Sequence, residues 1–239
     1  MKDIAGQLNP RERHLLQNAL RSAPKKPEIV LEVGTWLGGG STLHILRVLH
    51  ENGMGHLWGI EADEDIYEKM NRNIREAFQE GANCFSPLFG FSETIIPQWL
   101  RTLPPNAEID FVFLDGGNNP MEQVTEFRLL ESRISVGGQL MAHDAKLRKG
   151  KMLVPYLQRL DNWECRLHDV SNEGLLHARK TGDRPSSASV RQAARHLSMQ
   201  RLHPAEIASM ILPASFLRTV LGWLPAGVTR RWVEGRSVR

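Results

Sequence analysis

The run Ile29-Val-Leu-Glu-Val-Gly-Thr-Trp-Leu-Gly-Gly-Gly-Ser-Thr42, read with Leu57-Trp-Gly-Ile-Glu61, holds one structural unit. An apolar run ends in an acid and a glycine. A glycine-rich turn follows, then a Ser/Thr pair able to cap a helix. A second apolar run ends in Glu61. This order predicts strand, turn, helix, strand. Glycines let a backbone approach a ligand closely. A carboxylate ending the second strand can accept hydrogen bonds from ribose hydroxyls. The unit therefore implies a nucleoside site. Its spacing, Glu-x-Gly-x-x-x-Gly, is not the Gly-x-Gly-x-x-Gly that seats a pyrophosphate on a helix N-terminus.

Outward from this unit, strands and helices alternate. Asn9-Pro10 starts a helix over 10–22, with Asn as cap and Pro at the first helical position. Strands are expected at 29–33, 56–60, 83–88, 109–114 and 136–142, with helices near 40–52, 64–79, 92–102, 120–132 and 150–161. Asp63 caps the helix at 64–79, Gly81 closes it, and Pro97 shortens or bends the one at 92–102. Such alternation predicts a parallel sheet with helices on both faces. Trp163 to Val170 and Leu175 to Arg179 then read as strands joined by the turn Ser171-Asn-Glu-Gly174, hence an antiparallel hairpin. Gly182 to Ser189 has the composition of a linker.

The 239 residues suffice for one large domain, or a domain with an appendage, and 41% hydrophobic with 24% charged residues is ordinary for a soluble protein. Net charge is +3, unevenly spread. From Arg184 onward there are nine Arg, no Lys and two Glu, net +7, so the first 183 residues carry −4. Cys84, placed in a strand, and Cys165 fit no metal or redox spacing, and both are expected to be buried free thiols. No signal-type segment or long apolar run is present, so the expected location is cytoplasmic.

Two further segments end in acids at the same sheet edge: Ile109-Asp-Phe-Val-Phe-Leu-Asp115 and Val136-Gly-Gly-Gln-Leu-Met-Ala-His143-Asp144. Adjacent carboxylates repel unless a proton or a metal ion lies between them. Phe89-Gly-Phe-Ser-Glu93 lies after the third expected strand.

Together these motifs resemble class I S-adenosylmethionine-dependent methyltransferases. The resemblance is to the metal-dependent branch that includes catechol O-methyltransferase-like enzymes and bacterial small-molecule and sugar O-methyltransferases. It spans roughly residues 28–180. It implies an α/β, Rossmann-like sheet of seven strands, mostly parallel with a C-terminal antiparallel hairpin, plus an N-terminal helix and a C-terminal helical tail. It divides the chain into a helical segment at 1–27, the S-adenosylmethionine-binding domain at 28–182, and a linker with a basic tail at 183–239. Cofactor contacts would come from Glu32, Gly34, Thr35, Gly38 and Ser41 in the first turn, and from Glu61 and Ala62 after the second strand. Phe91, Ser92 and Glu93 would lie beside the adenine, with Asp115 at the next strand end.

The resemblance also implies a divalent cation, Mg²⁺, held by Asp115, Asp144 and a third ligand. That third position, usually Asn or Asp, is Ala145 here, with Asn118 or His143 as substitutes. Relatives often place Lys or His three residues after the first aspartate; this chain has Asn118, which cannot take a proton. His143, with an ordinary pKa suited to general-base work, is then the nearest titratable candidate. The catalytic candidates are Asp115, His143 and Asp144.

The tail places Met210-Ile-Leu, Phe216-Leu, Val220-Leu and Trp223-Leu near basic residues, broken by Pro213 and Pro225. One reading is an interfacial membrane helix. The favoured one is a short helical appendage that packs on the domain, closes the acceptor pocket or joins a homodimer. No nucleic-acid partner is expected. The functional expectation is O-methylation of a small-molecule or sugar hydroxyl, Mg-assisted if the metal site holds. The alternatives are a non-catalytic binding protein of the same fold and, behind it, an NAD(P)-dependent oxidoreductase.

Overall fold

The computed structural model describes residues 4–117 and 119–199. Asn118 and the tail from residue 200 onward lie outside the described residues, and with them the expectations placed on Asn118 and on the segment from Met210 to Pro225.

Among the described residues, seven strands form one sheet: β1 (Ile29–Val33), β2 (His56–Glu61), β3 (Phe85–Phe89), β4 (Ile109–Leu114), β5 (Ile134–His143), β6 (Trp163–His168) and β7 (Leu175–Lys180). Their order is β3-β2-β1-β4-β5-β7-β6, with β7 antiparallel to both neighbours and every other pairing parallel. The expected hairpin is present, and its second strand inserts between β5 and β6. Among the described residues, seven helices accompany the sheet: α1 (Pro10–Arg21), α2 (Thr42–Asn52), α3 (Glu64–Ala77), α4 (Ser92–Thr102), α5 (Glu122–Leu130), α6 (Gly150–Leu157) and α7 (Ser187–Met199).

Side chains alternate across a strand, and the two sheet faces bury two separate cores. Leu31, Val33, Val112 and Leu114 face α4–α7, with Trp99, Val124, Leu153 and Ala193. Val30, Phe111, Phe113 and Met141 face α1–α3, with Leu16, Leu46 and Met70. At ~25 cal/mol per Å² of apolar surface, burial on both faces dominates the driving force for this sheet. Every residue of β4 is buried, as suits the centre of a parallel sheet.

The helix starts follow from local chemistry. Asn9 Oδ1 accepts from the backbone N–H of Arg11 and Glu12, at 2.8 and 3.1 Å, and Glu12 Oε2 accepts from Asn9 N–H at 2.9 Å, a full capping box. Asp63 caps α3 by accepting from Ile66 N–H at 3.1 Å.

Several boundaries differ from expectation. α3 stops at Ala77 rather than at Gly81, and a 3-10 turn over Gln79–Cys84 follows, so Cys84 ends that turn and lies outside β3. Both cysteines are only half-buried. β5 begins at Ile134, because a register shift against β4 absorbs the Gly137-Gly138 pair within the strand. The segment read as a linker turns into α7 at Ser187. Ser186 Oγ caps it by accepting from Ser189 N–H at 3.2 Å, and Asp161 Oδ1 fixes the cap by accepting from Ser186 N–H and the Ser189 hydroxyl, both at 2.9 Å. Among the described residues, no helix is long and apolar enough to cross a membrane.

Candidate active site

β1, β2, β4 and β5 present their C-terminal ends at one edge. Gly34, just past β1, has φ +86°, and a Cβ there would lie 2.6 Å from Gly116 N and 2.7 Å from the Asp115 carbonyl carbon. Only glycine lets the turn after β1 press on the turn after β4. Trp36 is also left-handed, at φ +45°, and its N–H donates to Glu61 Oε2 at 3.0 Å. Glu61 Oε1 accepts from Ala62 and Asp63 N–H at 2.9 and 3.1 Å. Three backbone donors thus fix the Glu61 carboxylate at the end of β2. Non-glycine residues with positive φ are costly and cluster at functional sites. Among the described residues they are Trp36 and Asp144, and both line the same cavity.

That cavity measures about 440 Å³, within the range of small-molecule sites. Gly34, Glu61, Ala62, Phe91, Ser92, Asp115 and Asp144 line it. The other expected cofactor residues are not on its wall. Glu32 is fully buried beneath the glycine turn, where it accepts from the Ser41 hydroxyl, and burial pushes its carboxyl up to about 8. Thr35 is buried, Gly38 faces the Ile74 side chain of α3, and Glu93 is exposed on α4. Ser92 is the first residue of α4 and does not cap it; its hydroxyl donates to Glu126 Oε1 at 2.6 Å. Burial, together with the charge of Glu122, pushes the Glu126 carboxyl up to about 8.

A charged cluster closes one side of the cavity. His143 ends β5 with its ring between three acids. Nδ1 lies 3.2 Å from Asp115 Oδ1 and 3.4 Å from Asp144 Oδ1, while Nε2 lies 3.4 Å from Glu12 Oε1. The Glu12 approach is too poorly aligned for a strong hydrogen bond. Burial alone would drive the proton off the imidazole; contact with Asp115 and Glu12 and the charges of Asp115 and Asp144 outweigh it, raising the pKa to about 10. His143, expected as a general base, is therefore held as an imidazolium and cannot take a proton at neutral pH.

Lys149, at the start of α6, reaches back into the cluster. Its Nζ donates to Asp115 Oδ1 at 3.0 Å and to the Asp115 carbonyl oxygen at 3.2 Å, and lies 2.8 Å from Asp144 Oδ2. Burial opposes its charge, but the two aspartates outweigh that and raise its pKa. Asp115 is lowered in turn: burial works against its carboxylate, and Lys149 and His143 prevail. Glu12 is likewise lowered against its burial, by His143, by the Ser171 hydroxyl 2.6 Å away and by Asn9 N–H.

The ligand atoms of Asp115, His143 and Asp144 lie within 4.8 Å of one another, close enough to surround an ion. The same carboxylates, however, already bind the Lys149 ammonium, and the third-ligand position is the methyl group of Ala145. The donor set does not fit a divalent cation. Sequence reading missed Lys149 and Glu12. Lys146-Leu-Arg-Lys149 has the look of a solvated charge run, and only the fold turns its last member inward. Glu12 carried a detectable signal, the third helical position after Asn9, but that explains its cap and not its contact with β5.

Residues 31–145, which include Gly34, Glu61, Asp115 and Asp144, match a family model described as a methyltransferase domain. The sheet is that of the class I methyltransferase fold. The O-methyltransferase TomG from Streptomyces achromogenes, solved with S-adenosylmethionine and involved in tomaymycin synthesis, superposes with TM-score 0.59 at 21% identity, over 74% of this chain and 82% of its own. An O-methyltransferase from Bacillus cereus in complex with S-adenosylhomocysteine gives TM-score 0.57 at 18% identity, over 73% and 83%. A methyltransferase from Podospora anserina, also bound to S-adenosylhomocysteine, gives TM-score 0.59 at 13% identity, over 74% and 80%. No curated protein matches the chain.

Proposed function

We propose that this protein is an S-adenosylmethionine-dependent O-methyltransferase whose acceptor is a hydroxyl of a small molecule or glycan. The observation that carries this reading is that Glu61, the Gly34 turn, Asp115 and Asp144 all open onto one cavity. S-adenosylmethionine in TomG and S-adenosylhomocysteine in the Bacillus cereus enzyme support the choice of cofactor.

In this proposal Glu61 accepts from a ribose hydroxyl at Oε2, which holds one backbone donor against two on Oε1. Phe91 packs on the adenine face, and the bare backbone at Gly34 and Gly116 admits the methionine portion. The acceptor oxygen attacks the sulfonium methyl in line, a C–O bond forms as the C–S bond breaks, and S-adenosylhomocysteine leaves. Asp144 takes the acceptor's proton. It lines the cavity and its side chain is 19% exposed, against 7% for Asp115, so it can pass the proton to water.

Calorimetric titration with S-adenosylmethionine, using NAD as a control, tests the cofactor. Micromolar binding of the first and none of the second is expected. A folded protein that binds no S-adenosylmethionine would end this reading.

A further inference from the structure

We infer that Lys149 is a resident cation that stands in the metal position of this site, so that Asp115 and Asp144 are bridged by an ammonium group and do not bind a divalent ion. An ammonium has three N–H donors. Asp115 Oδ1, the Asp115 carbonyl oxygen and Asp144 Oδ2 take one each, at 3.0, 3.2 and 2.8 Å. The side chain is 6% exposed, so this is a built contact and not a surface ion pair.

The loop that delivers it is folded for the purpose. Leu147 N–H donates to the Asp144 carbonyl at 2.9 Å, turning the chain back on itself. A Cβ on Gly150 would meet Ala145 O at 2.1 Å, so glycine is needed where α6 begins against the end of β5. Ala145 follows Asp144 with a buried methyl group and offers no third ligand.

A divalent ion such as Mg²⁺ would need both carboxylates at about 2.0–2.1 Å from the same interval. It would have to expel the ammonium and leave that charge buried without its counter-ions, which is strongly unfavourable. With all three donors spent, Lys149 neither protonates nor chelates the acceptor. On the methyl-transfer reading, the acceptor is therefore gripped as a single hydroxyl, not as two neighbouring oxygens shared with a metal.

Mn²⁺ paramagnetic resonance tests the inference on the purified full chain. The wild-type protein should leave the free Mn²⁺ signal undiminished. Lys149→Ala should open the aspartate pair and take up about one Mn²⁺ per chain, in octahedral oxygen coordination. Lys149→Met, which keeps most of the stem volume, replaces it if the alanine variant fails to fold. Mn²⁺ uptake by the wild type that Asp144→Asn abolishes would overturn the inference. So would a folded Lys149 variant that gains no affinity for Mn²⁺. Failure to bind S-adenosylmethionine would remove the proposed function and leave this result readable.

Discussion

The His143 imidazole lies 3.4 Å from the Glu12 carboxylate, so the first helix of the chain supplies a charge to the cluster at the sheet edge. Glu12 also closes the cap of α1 and accepts from Ser171 in the β6–β7 turn. One buried side chain thus joins the N-terminal helix, the end of β5 and the antiparallel hairpin. Glu12→Gln keeps an oxygen for the cap and removes only the charge. The His143 titration midpoint, followed by NMR, should then fall by about one pH unit or more, since a like-sized neutral group no longer favours the imidazolium. An unchanged midpoint would show that Asp115 and Asp144 suffice without Glu12.

The charged state of His143 also predicts a pH dependence of stability. Its folded pKa, about 10, lies above the ordinary imidazole value of 6.5. The folded state therefore holds its proton more tightly, and the stabilisation is fully present below pH 6.5 and lost as pH rises through about 10. The Glu32 carboxyl, raised to about 8 from 4.5, adds loss of the same sign over a lower window. Urea unfolding of the wild type against His143→Gln separates the two. The difference between them should shrink between pH 6.5 and 10 by an amount on the order of a few kcal/mol. A constant difference across that range would mean His143 is neutral in the fold.

Much of this molecule is legible in its sequence, and what stays hidden has a physical reason. β4 is legible because a fully buried strand is a continuous apolar run, and Asp63 and Asn9 are legible because caps act over three residues. The start of α7 is less so: its cap, Ser186, sits in a stretch with the composition of a linker, and the Asp161 carboxylate that holds Ser186 in place lies 25 residues away in sequence. The β1–β2 side of the cavity is marked by glycines and strand-end acids, whose roles depend on local backbone. The cation side is not. Lys149 becomes an inner residue only when the loop after β5 closes, and no periodicity records that closure. Glu32 shows the converse: its motif is real, but its side chain works beneath the turn, on Ser41, and not on the cavity wall.

Two glycines with similar backbone angles should respond differently to alanine. Gly53 has φ +69° and nothing within 4 Å of where a methyl group would sit, so Gly53→Ala bears only the left-handed backbone cost, about 1–2 kcal/mol. Gly34 has φ +86° and would drive a methyl into the Asp115–Gly116 backbone at 2.6–2.7 Å. Gly34→Ala should lose at least ~1 kcal/mol more, because one of the two turns must move. Since both turns border the cavity, affinity for S-adenosylmethionine should fall with it, while Gly53→Ala keeps wild-type affinity. Equal stability losses in denaturant melts would refute the close-approach argument for Gly34.

Asp115 joins the charged cluster to the cavity, and two substitutions separate what its charge does from what its shape does. Its carboxylate faces both Lys149 and His143 while lining the cavity. Asp115→Ala removes one partner of a buried ion cluster, a change that typically costs about 3–5 kcal/mol, and should abolish turnover. Asp115→Asn keeps the shape and the acceptor oxygen but not the charge. It should fold more stably than the alanine variant and still lose turnover by roughly 10²-fold or more, with S-adenosylmethionine affinity changed far less, because the lost charge fixes the cations that orient Asp144. Steady-state kinetics beside calorimetry reads the split between kcat and binding. A wild-type rate in Asp115→Asn with cofactor affinity unchanged would remove this carboxylate from the mechanism and leave Asp144 to act without it.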